Sequence, residues 1–185
     1  MSTTRRIHDR RLLDKLESVE SATFTGSLWR VCWDGTDPLT GSTAGGRWHP
    51  ADSIEGLYTS TSNDGAVAEV HYHLLQQPVY SSAHKLLWEI TAKLDRVLNL
   101  STPNILSDMR VSSDDPASSQ KIGAAAHFLE YQALIIPSLR WHCNNLLIFP
   151  EYLDFGEDLT VAETPSEINW PAWIDKNRIP RGIQF

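Results

Sequence analysis

Apolar and polar positions divide the chain into short elements of both periods. In IHDRRLLDKLESVE, residues 7–20, Leu12, Leu13, Leu16 and Val19 recur at helical spacing, which predicts an N-terminal helix. SLWRVCWD, 27–34, alternates instead. Leu28, Arg30 and Cys32 point one way, and Trp29, Val31 and Trp33 the other, as in a strand. That strand carries a lone arginine on an otherwise fairly apolar face. The Gly, Pro, Asp and Thr content of DGTDPLTGSTAGG, 34–46, marks a loop, and GLYTST, 56–61, reads as a short strand. NDGAVAEVHYHLLQQ, 63–77, is a predicted helix capped by Ser62 or Asn63 and ended by Pro78.

KLLWEITA, 85–92, and RVLNL, 96–100, follow as two β-type runs, and SSQKIGAAAHFLEYQ, 118–132, as a helix whose small residues allow close packing. ALIIPS, 133–138, and NNLLIFPE, 144–151, are apolar enough to be central strands buried on both faces. The tail from 167 to 185, broken by prolines, is expected to wrap the surface. Strands and helices mix without regular βαβ alternation, which predicts an α+β fold. One domain over 1–185 is expected, with the N-terminal helix at about 7–20, a core at about 27–150 and a C-terminal wrap at about 151–185.

A chain of 185 residues buries roughly 70% of its extended-state surface, enough for a core of its own. The seven tryptophans are read first as packing. A net charge of −7 is the wrong balance for a partner bound through phosphates, so nucleic acid is not expected. Cys32 and Cys143 form neither a C-x-x-C pair nor a disulfide framework, and neither has an activating pattern beside it. The start MSTTRRIHDRR has no signal-peptide core, and no run of 18 apolar residues spans a membrane. A soluble, cytoplasmic protein is expected. His71 and His73 are two apart on a helix and point to different sides, His127 and His142 lie elsewhere, and H-E-x-x-H is absent, so no metal is expected.

The segment GGRWHPADSIEGLYTSTSNDGAVAEV, 45–70, holds the candidate chemistry. Arg30 and Arg47 either form salt bridges to acids such as Glu69 or present two planar forks to a phosphate-bearing ligand. Gly45 and Gly46 before Arg47 favour the second, because they let backbone approach a ligand. Neither a P-loop nor a dinucleotide G-x-G-x-x-G is present, so a nucleotide would be held mainly by arginines. Glu69 is either solvated or the single carboxylate of a reaction that needs only one. Cleavage of a glycosidic bond with an already good leaving group is such a reaction, and the nicotinamide–ribose bond of NAD is such a bond. Tyr58 either stacks on a planar heterocycle or packs in the core.

Taken together, LWRV, GGRWHP, GLYTSTSNDGAVAEV and LIIPSLRWHCNNLLIFPE resemble the RES-domain family over about residues 27–150. The resemblance implies a fold similar to the ADP-ribosyltransferase toxins of the diphtheria type. It also implies the role of toxin in a bacterial toxin–antitoxin pair, with an Xre-related antitoxin as partner and NAD as the molecule consumed. The family's arginines fall on Arg30 and Arg47, its aromatic on Tyr58, its glutamate on Glu69 and its serine on Ser138, with Ser118 and Ser119 as rivals and Asn145 in the strand behind. The usual asparagine–proline after the tryptophan is His49–Pro50 here, a departure expected to affect a loop more than the chemistry. On this reading Arg30 and Arg47 hold the pyrophosphate or ribose hydroxyls, Tyr58 stacks on nicotinamide, Glu69 stabilises the ribosyl cation, and Ser138 adds a hydrogen bond. The acceptor of ADP-ribose is expected to be a protein, by analogy of fold. Water or phosphate as acceptor, and a non-catalytic binding module, are the alternatives.

Overall fold

The computed structural model describes residues 8–76, 84–102, 105–109 and 116–177. Its elements run in the order α1 (Arg10–Glu17), β1 (Ala22–Trp33), β2 (Leu57–Ser60), α2 (Asn63–Leu75), β3 (Lys85–Asn99), α3 (Ile105–Asp108), α4 (Pro116–Phe128), β4 (Ala133–Pro137) and β5 (Asn144–Ile148). A 3-10 turn (Pro150–Tyr152), β6 (Leu159–Val161), β7 (Ser166–Glu167) and α5 (Trp170–Asn177) complete the described chain. The mixed sheet with flanking helices is the α+β arrangement expected.

The sheet closes on itself. Its strands lie in the order β1-β2-β5-β4-β3, and β1 pairs β3 as well as β2. Only β3 and β4 run parallel within this ring; the other pairs are antiparallel. Closure leaves the ring no free edge, and β6 and β7 add themselves to the outer length of β3. The two β runs predicted after α2 are one strand. Lys93, Asp95 and Arg96 do not interrupt it because they face solvent between buried Ala92, Leu94 and Val97. β1 likewise starts at Ala22 rather than Ser27, and α1 is shorter than predicted; position 7 of that prediction and Pro78 lie outside the described residues.

Period-two alternation then sorts the central strands into two cores. Leu146 and Ile148 join Leu28, Ile90 and Ile135 on one side. Leu147 and Phe149 join Leu134, Ile136 and the small-residue face of α4 on the other. Both β4 and β5 are buried over most of their length, as their apolar runs predict. The described part of the tail ends in a helix, α5: Trp173 packs on Val67 and Ala68 of α2, and its Nε1 donates to Asp64 at 2.8 Å, while positions 178–185 of the predicted wrap lie outside the described residues.

Two contacts fix where α4 and α2 sit. α4 presses on the loop before β2 so closely that a Cβ on Gly123 would fall 1.6 Å from the Trp48 carbonyl oxygen. Gln120 Nε2, one turn earlier, donates to the Gly46 carbonyl at 2.8 Å. At the start of α2, which Ser62 caps, a Cβ on Gly65 would lie 2.5 Å from Cys143 Sγ and 2.6 Å from Ser60 Oγ. The helix therefore starts against the ends of β2 and β5. Helix propensity alone favours alanine over glycine by about 1 kcal/mol. The contact with Trp48 reverses that sign, so Gly123→Ala is expected to lose about 1–3 kcal/mol through overpacking. Urea unfolding measures this, and an unchanged or raised midpoint would show that α4 does not clamp the loop.

Candidate active site

Arg30, Arg47, Tyr58, Glu69 and Asn145 line one cavity of about 710 Å³, within the roughly 300–1,000 Å³ typical of ligand pockets. Among the described residues Glu69 is the single acid in its wall. The close start of α2 sets Glu69, one turn beyond Gly65, over the open end of β4 and β5. There Glu69 Oε1 accepts from Ser138 Oγ and from Asn145 Nδ2, each at 2.7 Å. Hydrogen bonds to a charged group contribute about 1.5–3 kcal/mol each, so one oxygen is firmly held. Oε2 has no hydrogen-bond partner among the described residues.

Ser138 lines a neighbouring hollow rather than this cavity and reaches Glu69 across the turn between β4 and β5. Its oxygen accepts from the Arg140 and Trp141 N–H groups at 3.1 and 3.2 Å, which leaves its proton for the carboxylate. Asn145 points its amide nitrogen at Glu69 because only a donor suits that oxygen. Its Oδ1 is then buried with no partner among the described residues. The rival serines are elsewhere: Ser119 is fully buried in α4, and neither it nor Ser118 lines the cavity.

The two arginines differ. Arg30 is half-buried on β1 between buried Leu28 and Cys32, and Nη1 donates to the Pro38 carbonyl at 2.8 Å. Burial lowers its pKa, opposed by Cys32 and Asp37, yet a guanidinium keeps its proton in a protein. Arg47 forms no hydrogen bond or ion pair with any described residue, Glu69 included. The salt-bridge alternative for these arginines therefore has no counterpart among the described residues. Gly45, with φ at +80°, turns the backbone where a side chain would be strained.

Tyr58 is pinned from behind. Its hydroxyl accepts from the Trp48 N–H at 3.0 Å and donates to His49 Nδ1 at 3.2 Å. That direction follows from the Ser42 carbonyl, which accepts from His49 Nε2 at 3.0 Å and so takes the ring's one proton. A Cβ on Gly46 would lie 2.7 Å from the hydroxyl, so only glycine lets the loop pass the ring. Burial pushes the Tyr58 phenol up to about 12, against the pull of the Trp48 N–H and the Arg47 charge. It is a neutral donor at physiological pH. His49 thus carries more than the loop role expected of it: it is fully buried and orients a cavity residue. The signal available in the sequence was a histidine, intermediate in its tendency to be buried, between Trp48 and Pro50 in a loop that glycines bring close to Tyr58. His71 packs against Trp170 and Trp173, and His73 is exposed at the cavity mouth.

Burial lowers the pKa of His49, partly offset by the Ser42 carbonyl, and lowers that of His71 too. The unfolded chain therefore takes up protons below about pH 6.5 that the folded chain refuses, and stability falls as pH falls through that value. The ceiling is about 1.4 kcal/mol per pH unit for each histidine. Denaturant unfolding at pH 7.5 and 5.5 is expected to show the loss, and His49→Gln to shrink it. A pH dependence identical to the parent's would mean that His49 is not held neutral.

The family model described as RES domain matches residues 27–173. Relatives named NAD(+) phosphorylase MbcT, from Mycobacterium tuberculosis and Mycobacterium bovis, are 26% identical over 145 residues, covering 70% of this chain and 76% of theirs. In the solved MbcT–MbcA toxin–antitoxin complex of M. tuberculosis, a chain 20% identical superposes with a TM-score of 0.75, over 92% of this chain and 99% of that one. That likeness establishes the fold.

Proposed function

The chain belongs to the RES domain family, and we propose from its site that it splits NAD at the nicotinamide–ribose bond and passes ADP-ribose to inorganic phosphate. The observation that carries this reading is the lone carboxylate. Glu69 is held through one oxygen by Ser138 and Asn145, in a cavity with Arg30 and Arg47 and no second acid among the described residues. Two-carboxylate sugar hydrolysis needs an acid to protonate its leaving group. The pyridinium of NAD leaves as a neutral amide and needs none, so an electrostatic stabiliser of the developing ribosyl cation suffices. Arg30 and Arg47 supply forks for the pyrophosphate, and the ring of Tyr58, its hydroxyl tied back to Trp48 and His49, offers a wall for nicotinamide.

The name of the MbcT relatives favours phosphate over the protein acceptor that likeness of fold suggested. The toxin–antitoxin complex that contains the similar fold supports a second part of the proposal: this chain is a growth-inhibiting toxin kept silent by a cognate protein partner. The Xre-related kind of partner is what the family resemblance implies. We place its action in the cytoplasm, where the NAD pool and such a partner meet it.

Chromatography of NAD incubated with purified protein tests the reaction. With phosphate present, ADP-ribose carrying a phosphate on the former nicotinamide carbon is expected, with free nicotinamide in equal amount. Free ADP-ribose alone would make the enzyme a glycohydrolase, and intact NAD under every condition would leave only a binding module. Glu69→Gln is expected to keep the fold and NAD binding while kcat falls about 100-fold or more, the scale of losing one electrostatic stabiliser. Undiminished turnover would remove Glu69 from the chemistry. NAD affinity is expected to fall further in Arg47→Ala than in Arg47→Lys, since lysine keeps the charge and loses only the fork. Equal losses in a titration would limit Arg47 to its fork alone.

A further inference from the structure

One aromatic ring in the cavity wall takes no part in the packing and none in the reaction as proposed. Tryptophan is highly buried on average, and the tryptophans of this chain were expected to pack. Trp29 on β1 is only half-buried and lines the cavity. It belongs to neither core, nor to the contact between α2 and α5. Among the described residues no ring stacks on it and no acceptor takes its indole N–H. Val31, two residues on along the same face, does pack, against Val67, Ala68 and Trp173.

Strand register sets which way Trp29 faces. Trp29 lies opposite Ser60, Ser60 opposite Asn145 and Asn145 opposite Ile136, each across an antiparallel pair. Directly opposed residues share a face of the sheet. The four side chains therefore form one row across β1, β2, β5 and β4, and all four line the cavity. Asn145 in that row holds Glu69, and Trp29 stands two strands away, about 10 Å at the usual strand spacing. The other tyrosines and tryptophan of the wall are engaged. Tyr72 carries the Arg140 guanidinium 3.3 Å from the centre of its ring, Trp48 is buried in the core, and Tyr58 is tied back to the Trp48 N–H.

We infer that Trp29 stacks on the adenine of the dinucleotide and so makes the cavity prefer a dinucleotide to a mononucleotide. This rests on the NAD reading proposed above. There the nicotinamide ribose sits at Glu69, and Arg30, next to Trp29 on β1, holds the pyrophosphate. Adenosine hangs from the far side of that pyrophosphate. Two phosphates and the second ribose can bridge the span from Glu69 to Trp29. Adenine is flat and uncharged at neutral pH, so an indole face meets it without any acid or base.

Titration calorimetry without inorganic phosphate separates the adenine end from the nicotinamide end. ADP-ribose carries the adenine and has no nicotinamide to lose, whereas nicotinamide mononucleotide has the reacting end and no adenine. In Trp29→Leu, which fills similar space without a ring, the Kd for ADP-ribose is expected to rise about 10-fold or more, the scale of one base losing its aromatic partner. Trp29→Phe keeps a ring and should recover most of that loss. In both variants nicotinamide mononucleotide should lose much less affinity than ADP-ribose loses in Trp29→Leu. Unchanged ADP-ribose binding in Trp29→Leu, an equal loss in Trp29→Phe, or an equal loss for nicotinamide mononucleotide each overturns the inference. Failure of the unsubstituted protein to bind either probe would instead bring down the NAD reading, and the inference with it.

Discussion

A single carboxylate oxygen, Oε1 of Glu69, fixes the geometry of the whole site. It accepts two short hydrogen bonds from residues 69 and 76 positions away, Ser138 and Asn145. Those donors are at the ends of neighbouring strands, β4 and β5, and Glu69 is on a helix that packs on β1, β2 and β3. The bonds exist only when the ring of strands has closed and α2 has seated against it. Chemistry and fold are therefore joined at one atom, and the second oxygen is left free to act on a ligand.

What seats the helix is close approach. Gly65 brings the start of α2 against Cys143 and Ser60, and Gly123 brings α4 against the carbonyl of Trp48. Gln120 and His49 then complete a hydrogen-bonded frame around the loop that carries Arg47. Small residues fix the distances and polar ones the orientation. A loop without regular structure of its own is held from both sides, so Arg47 and Tyr58 are positioned as firmly as residues on a strand would be. The frame leaves costs at its centre. Asn145 Oδ1 is buried without a partner among the described residues, a deficit of about 1–3 kcal/mol, and Arg47 is half-buried with no counter-ion among them. Sites that bind or react are where such deficits persist, because a ligand relieves them.

Much of this was legible in the sequence, and the limits have physical causes. Helical spacing disclosed α1 and alternation β1, a cap and a proline disclosed α2, small residues α4 and short apolar runs the central strands, because each of these signals lies within one segment. The ring closure and the union of the two β runs into β3 did not follow, since pairing between distant strands leaves no local trace. The spacing of GGRW, LYTST and AVAEV named Arg47, Tyr58 and Glu69, and family resemblance supplied Ser138 and Asn145, whose role no local pattern suggests. His49 and Gln120 were passed over for one reason. Each acts through hydrogen bonds to residues that no local pattern pairs with it, Ser42 and Tyr58 for His49 and Gly46 for Gln120.

The charge of the protein bears on how such a site works. With a net charge of −7, the surface as a whole repels anions. Arg30 and Arg47, against the one carboxylate of Glu69, put positive charge into the wall of one cavity. At physiological ionic strength the field of exposed charges fades within about 8 Å, so a ligand is drawn in only at the mouth and is held by direct contact inside. The same arrangement suits regulation by another protein. An acidic segment that entered the mouth would meet the cations there while the rest of the surface repelled it, which selects for a partner that fits the cavity rather than one that merely carries negative charge. Contact chemistry at the cavity, not long-range attraction, then decides which anion is held there.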